Sequence, residues 1–276
     1  MAATWIDTHC HLDFLENPDD CMAAAQAAGV KAVVVPAVSP GNFERVAVLA
    51  QQHAGVFYAL GLHPCSVDGL KEDALVVLEN ALRAHREDPK LVAVGEIGLD
   101  FFLPTLNKDR MMHLYAQQLR LARDFDLPVV LHVRRAQDQV CAGLRRFGIT
   151  RGIAHAFNGS AVQAQAFLRQ GLVLGFGGAM TFARALQIRR LAQSLPGDAW
   201  VLETDSPDIA PAWLEKGATN TPDQTPAIGA VMAGLRGLSV DDAAACSSRN
   251  ACRALPRLLR HAGRYEKHPN NASQSR

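Results

Sequence analysis

Residues 6–13 read Ile6-Asp7-Thr8-His9-Cys10-His11-Leu12-Asp13, an apolar strand-like run that ends on two histidines and a carboxylate. A doubly wound open sheet that binds a nucleotide carries a phosphate-cradling glycine loop after its first strand. No glycine stands here. In an extended strand, residues two apart share a face, so His9 and His11 could grip one ion together. In a chain with 10 histidines such a pair carries little weight alone, and the remaining segments decide its meaning.

Outward from this stretch, short apolar runs alternate with longer amphipathic ones. The runs at 5–11, 31–37, 56–63, 91–99, 128–133, 152–157, 172–177 and 200–204 include several rich in Val, Ile and Leu, as strands buried on both faces should be. Helical periodicity fills the segments 18–28, 42–53, 69–86, 107–125, 136–147, 160–170 and 181–194, and a further pair, 222–236 and 239–255, follows the last strand. Eight βα units at this length predict a (β/α)8 TIM barrel, a single α/β domain over residues 1–262. Residues 263–276 form a polar tail expected to be disordered. The Gly-Phe-Gly-Gly of 175–178 comes late, lacks the spacing of a dinucleotide fingerprint, and reads as a tight turn out of the seventh strand.

The composition, 49% hydrophobic and 20% charged, is that of a globular protein, and no apolar run approaches the length of a membrane span. Six scattered cysteines form no C-x-x-C pair, and the first residues do not read as a secretory signal. Both features predict reduced thiols and a cytoplasmic location without membrane contact. A net charge of +1 advertises no polyanion partner. Arg253, Arg257, Arg260 and Arg264 recur at helical spacing and are expected to form a solvated helix face.

Catalytic groups of a barrel gather at the C-terminal ends of its strands. His9 and His11 end the first strand, His63 the third, His132 the fifth, His155 the sixth and Asp205 the eighth, while Glu96 sits late in the fourth. Burying that many unpaired polar groups on one rim would be strongly unfavourable, and a shared metal centre removes the cost. Imidazole and carboxylate suit Zn²⁺, Mn²⁺ or Fe²⁺, with Mg²⁺ where water completes the shell. Six ligands exceed one tetrahedral ion but suit two divalent ions that share a carboxylate. Cys10, between the two histidines, should point to the opposite face and serve packing.

The stretches "DTHCHLD" at 7–13, "GLHP" at 61–64, "VGEIGLD" at 94–100, "LPVVLHVRRA" at 127–136, "HAFNGS" at 155–160, "LETDSP" at 202–207 and "RNACRAL" at 249–255 occur in an order that resembles the TatD-type metal-dependent hydrolases. These are a branch of the amidohydrolase-like barrels. Gly41–Val46 and the paired arginines after His132 are most similar to the YjjV-type subgroup. The resemblance implies that His9, His11, Glu96 and Asp205 hold one ion and that Glu96, His132 and His155 hold the second. It also implies that His63 and Arg134 face a substrate phosphate. Family members are typically metal-dependent deoxyribonucleases, often 3′–5′ exonucleases on single strands. DNA is therefore the expected partner, as single strands or 3′ ends bound mainly through phosphate, with a monomeric protein. Val133, Asp208 and Leu255 depart from the family pattern, and none is a proposed ligand.

The expected chemistry is phosphodiester hydrolysis, with Asp205 accepting the proton of the attacking water and Glu96 and His63 in the catalytic set. Asp7, Asp100 and Glu203 are expected to orient the ligands, and Asn220 either to contact substrate or to start a helix. One alternative is hydrolysis of small phosphate esters, amides or lactones. Related barrels of that kind bridge their metals with a carboxylated lysine on the fourth strand, where this chain has Glu96 and no lysine after Lys90. A second alternative is a non-catalytic metal-binding scaffold.

Overall fold

The computed structural model describes residues 4–259. Eight strands lie parallel and in sequence order: β1 (Trp5–Asp7), β2 (Val30–Pro36), β3 (Val56–Leu60), β4 (Leu91–Asp100), β5 (Val129–Arg134), β6 (Gly152–Ala154), β7 (Leu172–Phe176) and β8 (Trp200–Leu202). The circle is completed by backbone hydrogen bonds just beyond β1, from Thr8 N to Leu202 O at 3.1 Å and from Asp205 N to His9 O at 2.8 Å. Helices α1 (Pro18–Ala27), α2 (Phe43–Gln52), α3 (Ala74–Ala84), α4 (Lys108–Asp124), α5 (Gln137–Phe147), α6 (Ala161–Arg169) and α7 (Leu186–Ser194) connect successive strands. Helices α8 (Thr225–Arg236) and α9 (Val240–Ala254) follow β8. The result is the expected (β/α)8 barrel.

Alternation along the strands separates two apolar layers. Ile6, Val34, Phe57, Val130, Ile153 and Val201 cluster with one another in the lumen. Their sequence neighbours Val33, Val35, Tyr58, Leu131, Trp200 and Leu202 pack with residues of the surrounding helices. The lumen cluster also contains Cys252, Leu255 and Leu258, so the end of α9 and the 3-10 turn Pro256–Leu258 close the floor of the barrel. Cys10 is fully buried in the outer layer, as a packing residue.

Local chemistry sets the helix ends. Ser160 and Gln163 form a reciprocal capping box that starts α6, and Asn107 accepts from Arg110 N to start α4. Helix α9 stops at Ala254 because Pro256 begins a new turn. The arginine stripe therefore does not continue along one helix. Arg253 donates to the backbone carbonyl of Asp198, and Arg257 to the carbonyls of Asp88 and Leu91. Asp88 and Asp198 precede β4 and β8, so these arginines tie down the floor. Arg260, Arg264 and the 263–276 tail lie outside the described residues. Among the described residues, no helix is long and apolar enough to cross a membrane.

Candidate metal centre

The residues singled out at strand ends converge at the C-terminal mouth, but by different local routes. Glu96 and His132 stand within β4 and β5. His63 is the cap of the 3-10 turn Pro64–Gly69, its Nδ1 accepting from Cys65 N at 3.1 Å. His155 lies one residue past β6. Asp205 lies three residues past β8, in the left-handed region with φ +56°, a conformation that Asp tolerates better than most residues. β1 ends at Asp7, so His9 and His11 do not share a strand face as expected. They sit on the chain as it crosses the mouth, pinned by Cys10 N to Val34 O and His11 N to Ser206 O.

Glu96 is the centre of the arrangement, and its two oxygens face two separate groups. Oε2 lies 3.1 Å from His9 Nε2 and 3.5 Å from His11 Nε2. Oε1 lies 2.8 Å from His155 Nε2, 3.0 Å from His132 Nδ1 and 3.2 Å from His63 Nε2. Asp205 Oδ1 stands 3.4 Å from His9 Nε2 and 3.7 Å from His11 Nε2. His9 and His155 stack with ring centroids 3.8 Å apart. His9, His11, Glu96, His155 and Asp205 are buried, whereas His63 and His132 are partly open to solvent.

The fit to cations can be tested on the atoms themselves. Imidazole nitrogens face each other at 3.3 Å between His9 and His11 and at 3.2 Å between His63 and His132. Hydrogen bonding satisfies only part of such a set, because two facing nitrogens share one proton. Glu96 Oε2 is buried and accepts no hydrogen bond, despite the nearness of His9. An unsatisfied buried carboxylate oxygen amid converging lone pairs suits a cation. Within 4.8 Å of one another lie ligand atoms of His9, His11 and Glu96; of His9, His155 and Asp205; and of Glu96, His132 and His155. These clusters are consistent with two divalent-metal sites. His63, Cys65 and His132 form a further such group, which places His63 inside the cluster and adds Cys65, a residue that its sequence context did not mark.

Burial opposes charge on every group here, and the cluster overrides it selectively. Against burial, imidazole charge from His63 and His155 holds the Glu96 carboxyl well below the carboxylate range. Against burial, the charge of Glu96 raises His155 well above the imidazole range. Burial, aided by the neighbouring His155, holds His9 well below it. Burial pushes the Asp205 carboxyl up to about 6.

A surrounding set of carboxylates holds the histidines. Asp100 Oδ2 lies 3.1 Å from His132 Nε2, and Glu203 Oε1 lies 3.7 Å from His155 Nδ1. A Cβ at Gly175 would stand 2.2 Å from Glu203 Oε2, so only glycine admits this carboxylate to the lumen. Of residues 175–178, Gly175 and Phe176 thus lie inside β7, while Gly177 and Gly178 lead out of it into the 3-10 turn Gly178–Thr181, as expected. Asp7 acts on backbone: Oδ1 accepts from His9 N and Thr204 N, both at 3.1 Å, while Oδ2 accepts from Thr204 Oγ1 at 2.6 Å. Asn220 is fully buried and donates to the carbonyls of Thr204 and Asp208, so it holds the loop after β8 and does not meet substrate.

The cluster opens into a cavity of about 650 Å³. Arg134 is the only Lys or Arg among the described residues lining it. Its guanidinium lies 3.8 Å from the Phe102 ring centroid, with Nη1 3.9 Å from Asp100 Oδ2.

Comparison with known proteins agrees with this geometry. Residues 6–256 match the family model described as TatD related DNase. The chain is 40% identical over 248 residues to the uncharacterized metal-dependent hydrolase YjjV of Escherichia coli K12, covering 88% of this chain and 95% of that protein. It is 30% identical over 272 residues to a putative deoxyribonuclease, tatdn3, of Danio rerio, covering 94% of this chain and 99% of that protein. The crystal structure of Escherichia coli YjjV, described as a TatD homolog, superposes with a TM-score of 0.87 at 38% identity, covering 93% of this chain and 99% of that one.

Proposed function

Because the chain belongs to the TatD family of metal-dependent hydrolases, we propose that it hydrolyses phosphodiester bonds of DNA at the cluster around Glu96, as a deoxyribonuclease of the 3′–5′ exonuclease type. The observation that carries this reading is the division of one buried carboxylate between two histidine groups. His9, His11, Glu96 and Asp205 would hold one divalent ion. Glu96, His132 and His155 would hold the other. Zn²⁺, Mn²⁺ and Mg²⁺ all suit such a donor set. A metal pair of this kind lowers the pKa of water toward neutrality and offsets charge on phosphoryl oxygens.

The chain's own residues supply the rest. The Asp205 carboxyl turns Oδ1 toward His9 and His11, which leaves its other oxygen suited to accept the proton of the attacking water. Arg134 offers a planar fork to phosphate oxygens at the mouth, and Phe102 holds that fork in place. His63 would face the same phosphate from beside Glu96. The fourth strand has no lysine, which disfavours the amide and lactone hydrolases that bridge their metals through a carboxylated one. DNA would be bound through phosphate, by single strands or 3′ ends, and a monomer would suffice, since every residue invoked comes from one chain.

The test is a metal-reconstituted assay on end-labelled single- and double-stranded DNA and RNA, an aryl phosphodiester and an amide, with product ends mapped. Mononucleotides released from DNA 3′ ends are expected. Turnover of the amide alone would overturn the proposal.

A further inference from the structure

Phe14 is 53% exposed although its neighbours Leu12, Asp13 and Leu15 are all buried. Its exposure does not come from a loose segment. The residue ends the 3-10 turn Leu12–Phe14, closed by Phe14 N to His11 O at 2.9 Å. Asn42 Nδ2 donates to Asp13 Oδ2 at 2.8 Å, while Asn42 Oδ1 accepts from Val38 N and Ser39 N. The turn is therefore tied to the loop after β2, and the ring is presented on a fixed support.

The ring lies on His11, with centroids 5.4 Å apart and planes 19° from parallel. His11 in turn reaches Glu96 and Asp205 through Nε2. Phe14 is thus one side chain removed from the cluster and lines the same cavity. Ile209, 37% exposed, lines it too, from the loop after β8, the strand that closes on β1. An apolar wall stands on the β1–β8 side of the mouth, and Arg134 on the far side at β5.

We infer that Phe14 is a stacking platform for the nucleobase adjoining the phosphate that is cleaved, an inference that rests on the deoxyribonuclease reading above. A phosphate held between the cluster and Arg134 leaves its attached nucleoside to fall on one wall or the other. On the far side the Phe102 ring already carries the guanidinium groups of Arg134 and Arg135, whereas Phe14 presents an exposed apolar face. Aromatic faces accept any base by stacking, so this contact gives affinity without sequence preference. A base inside a duplex already has both faces covered. The platform therefore takes an unpaired nucleotide, at a strand end or in a single strand.

The experiment compares kcat/KM on an oligonucleotide with that on the same oligonucleotide carrying tetrahydrofuran abasic residues in its last three positions. Wild-type protein is expected to favour the base-bearing strand. Phe14→Ala should reduce that preference by about 5- to 150-fold, the range for loss of one base–aromatic stack. Phe14→Leu should reduce it similarly despite its apolar bulk, and Phe14→Tyr should restore it. Dissociation constants of the two strands for a metal-loaded Asp205→Asn background, with and without Phe14→Ala, should change in the same ratio. If the preference is the same in Phe14→Ala as in wild type, or if Phe14→Leu retains it, the inference fails while the nuclease reading stands. If wild-type protein cleaves neither strand, both fail together.

Discussion

Asp100 Oδ2 stands 3.1 Å from His132 Nε2, the ring nitrogen opposite the one that faces Glu96. A carboxylate in this position fixes the imidazole tautomer and its orientation, and makes the other nitrogen a better donor to a cation. Asp100→Ala is expected to weaken metal affinity by about 10- to 100-fold. Metal titration followed by calorimetry measures this, with circular dichroism to show that the barrel persists. Unaltered affinity would mean that Asp100 serves Phe102 N, Cys65 and Arg134 and not the ligand His132.

Asp205→Asn keeps the shape of the side chain and removes its ability to take a proton. It should lower kcat by about 10²- to 10⁴-fold, the contribution of a positioned acid–base group. Metal content determined on the same preparations separates a lost base from a lost ligand. Activity like that of wild type would remove Asp205 from the reaction.

Phe102→Ala frees the guanidinium of Arg134 from the ring beneath it. The contact is worth about 0.5–1 kcal/mol at an exposed site, so KM should rise by about 2- to 5-fold with kcat little altered. Phe102→Tyr should restore KM. A change confined to kcat would contradict a positioning role for the ring.

Gly175→Ala places a methyl group against the buried carboxylate of Glu203. Overpacking of this kind costs about 1–3 kcal/mol, and each kcal/mol lowers the melting temperature of a chain somewhat smaller than this by about 2–4 °C. Thermal denaturation reads the loss directly. Metal affinity should fall with it, because Glu203 also faces His155.

Chelation should abolish turnover, and a divalent ion returned to the chelated protein should raise its melting temperature, since it binds the folded cluster. Only neutral imidazoles act as ligands, so the size of that rise should diminish as pH falls below neutrality. A rise that is the same at pH 5.5 and pH 8 would argue against histidine ligation.

The barrel was legible because its strands are continuous apolar runs separated by capped helices, and both signals are local. Glu96 and His132 were legible for the same reason, since they lie on strands long enough to read. The route taken by His9 and His11 was not. β1 has three residues, and the bonds that hold the chain beyond it come from Val34, Leu202 and Ser206, the last two almost two hundred positions away. Gly175 looked like part of a turn because nothing near it in sequence reveals Glu203 in the lumen. Phe14 and Cys65 are single residues without periodic partners, and only the fold shows that they face the cavity.

The floor of the barrel is made last. Every residue of the cluster has been synthesised by position 205, whereas Leu255 and Leu258 close the lumen some fifty residues later. Helix α9 then packs on β1, and Ser248 Oγ donates to the carbonyl of Thr4 at the opposite end of the chain. During synthesis the complete donor set is therefore made before the residues that close the lumen from below. A messenger truncated just before this final segment would encode all of the chemistry and lack the stopper that keeps water out from below.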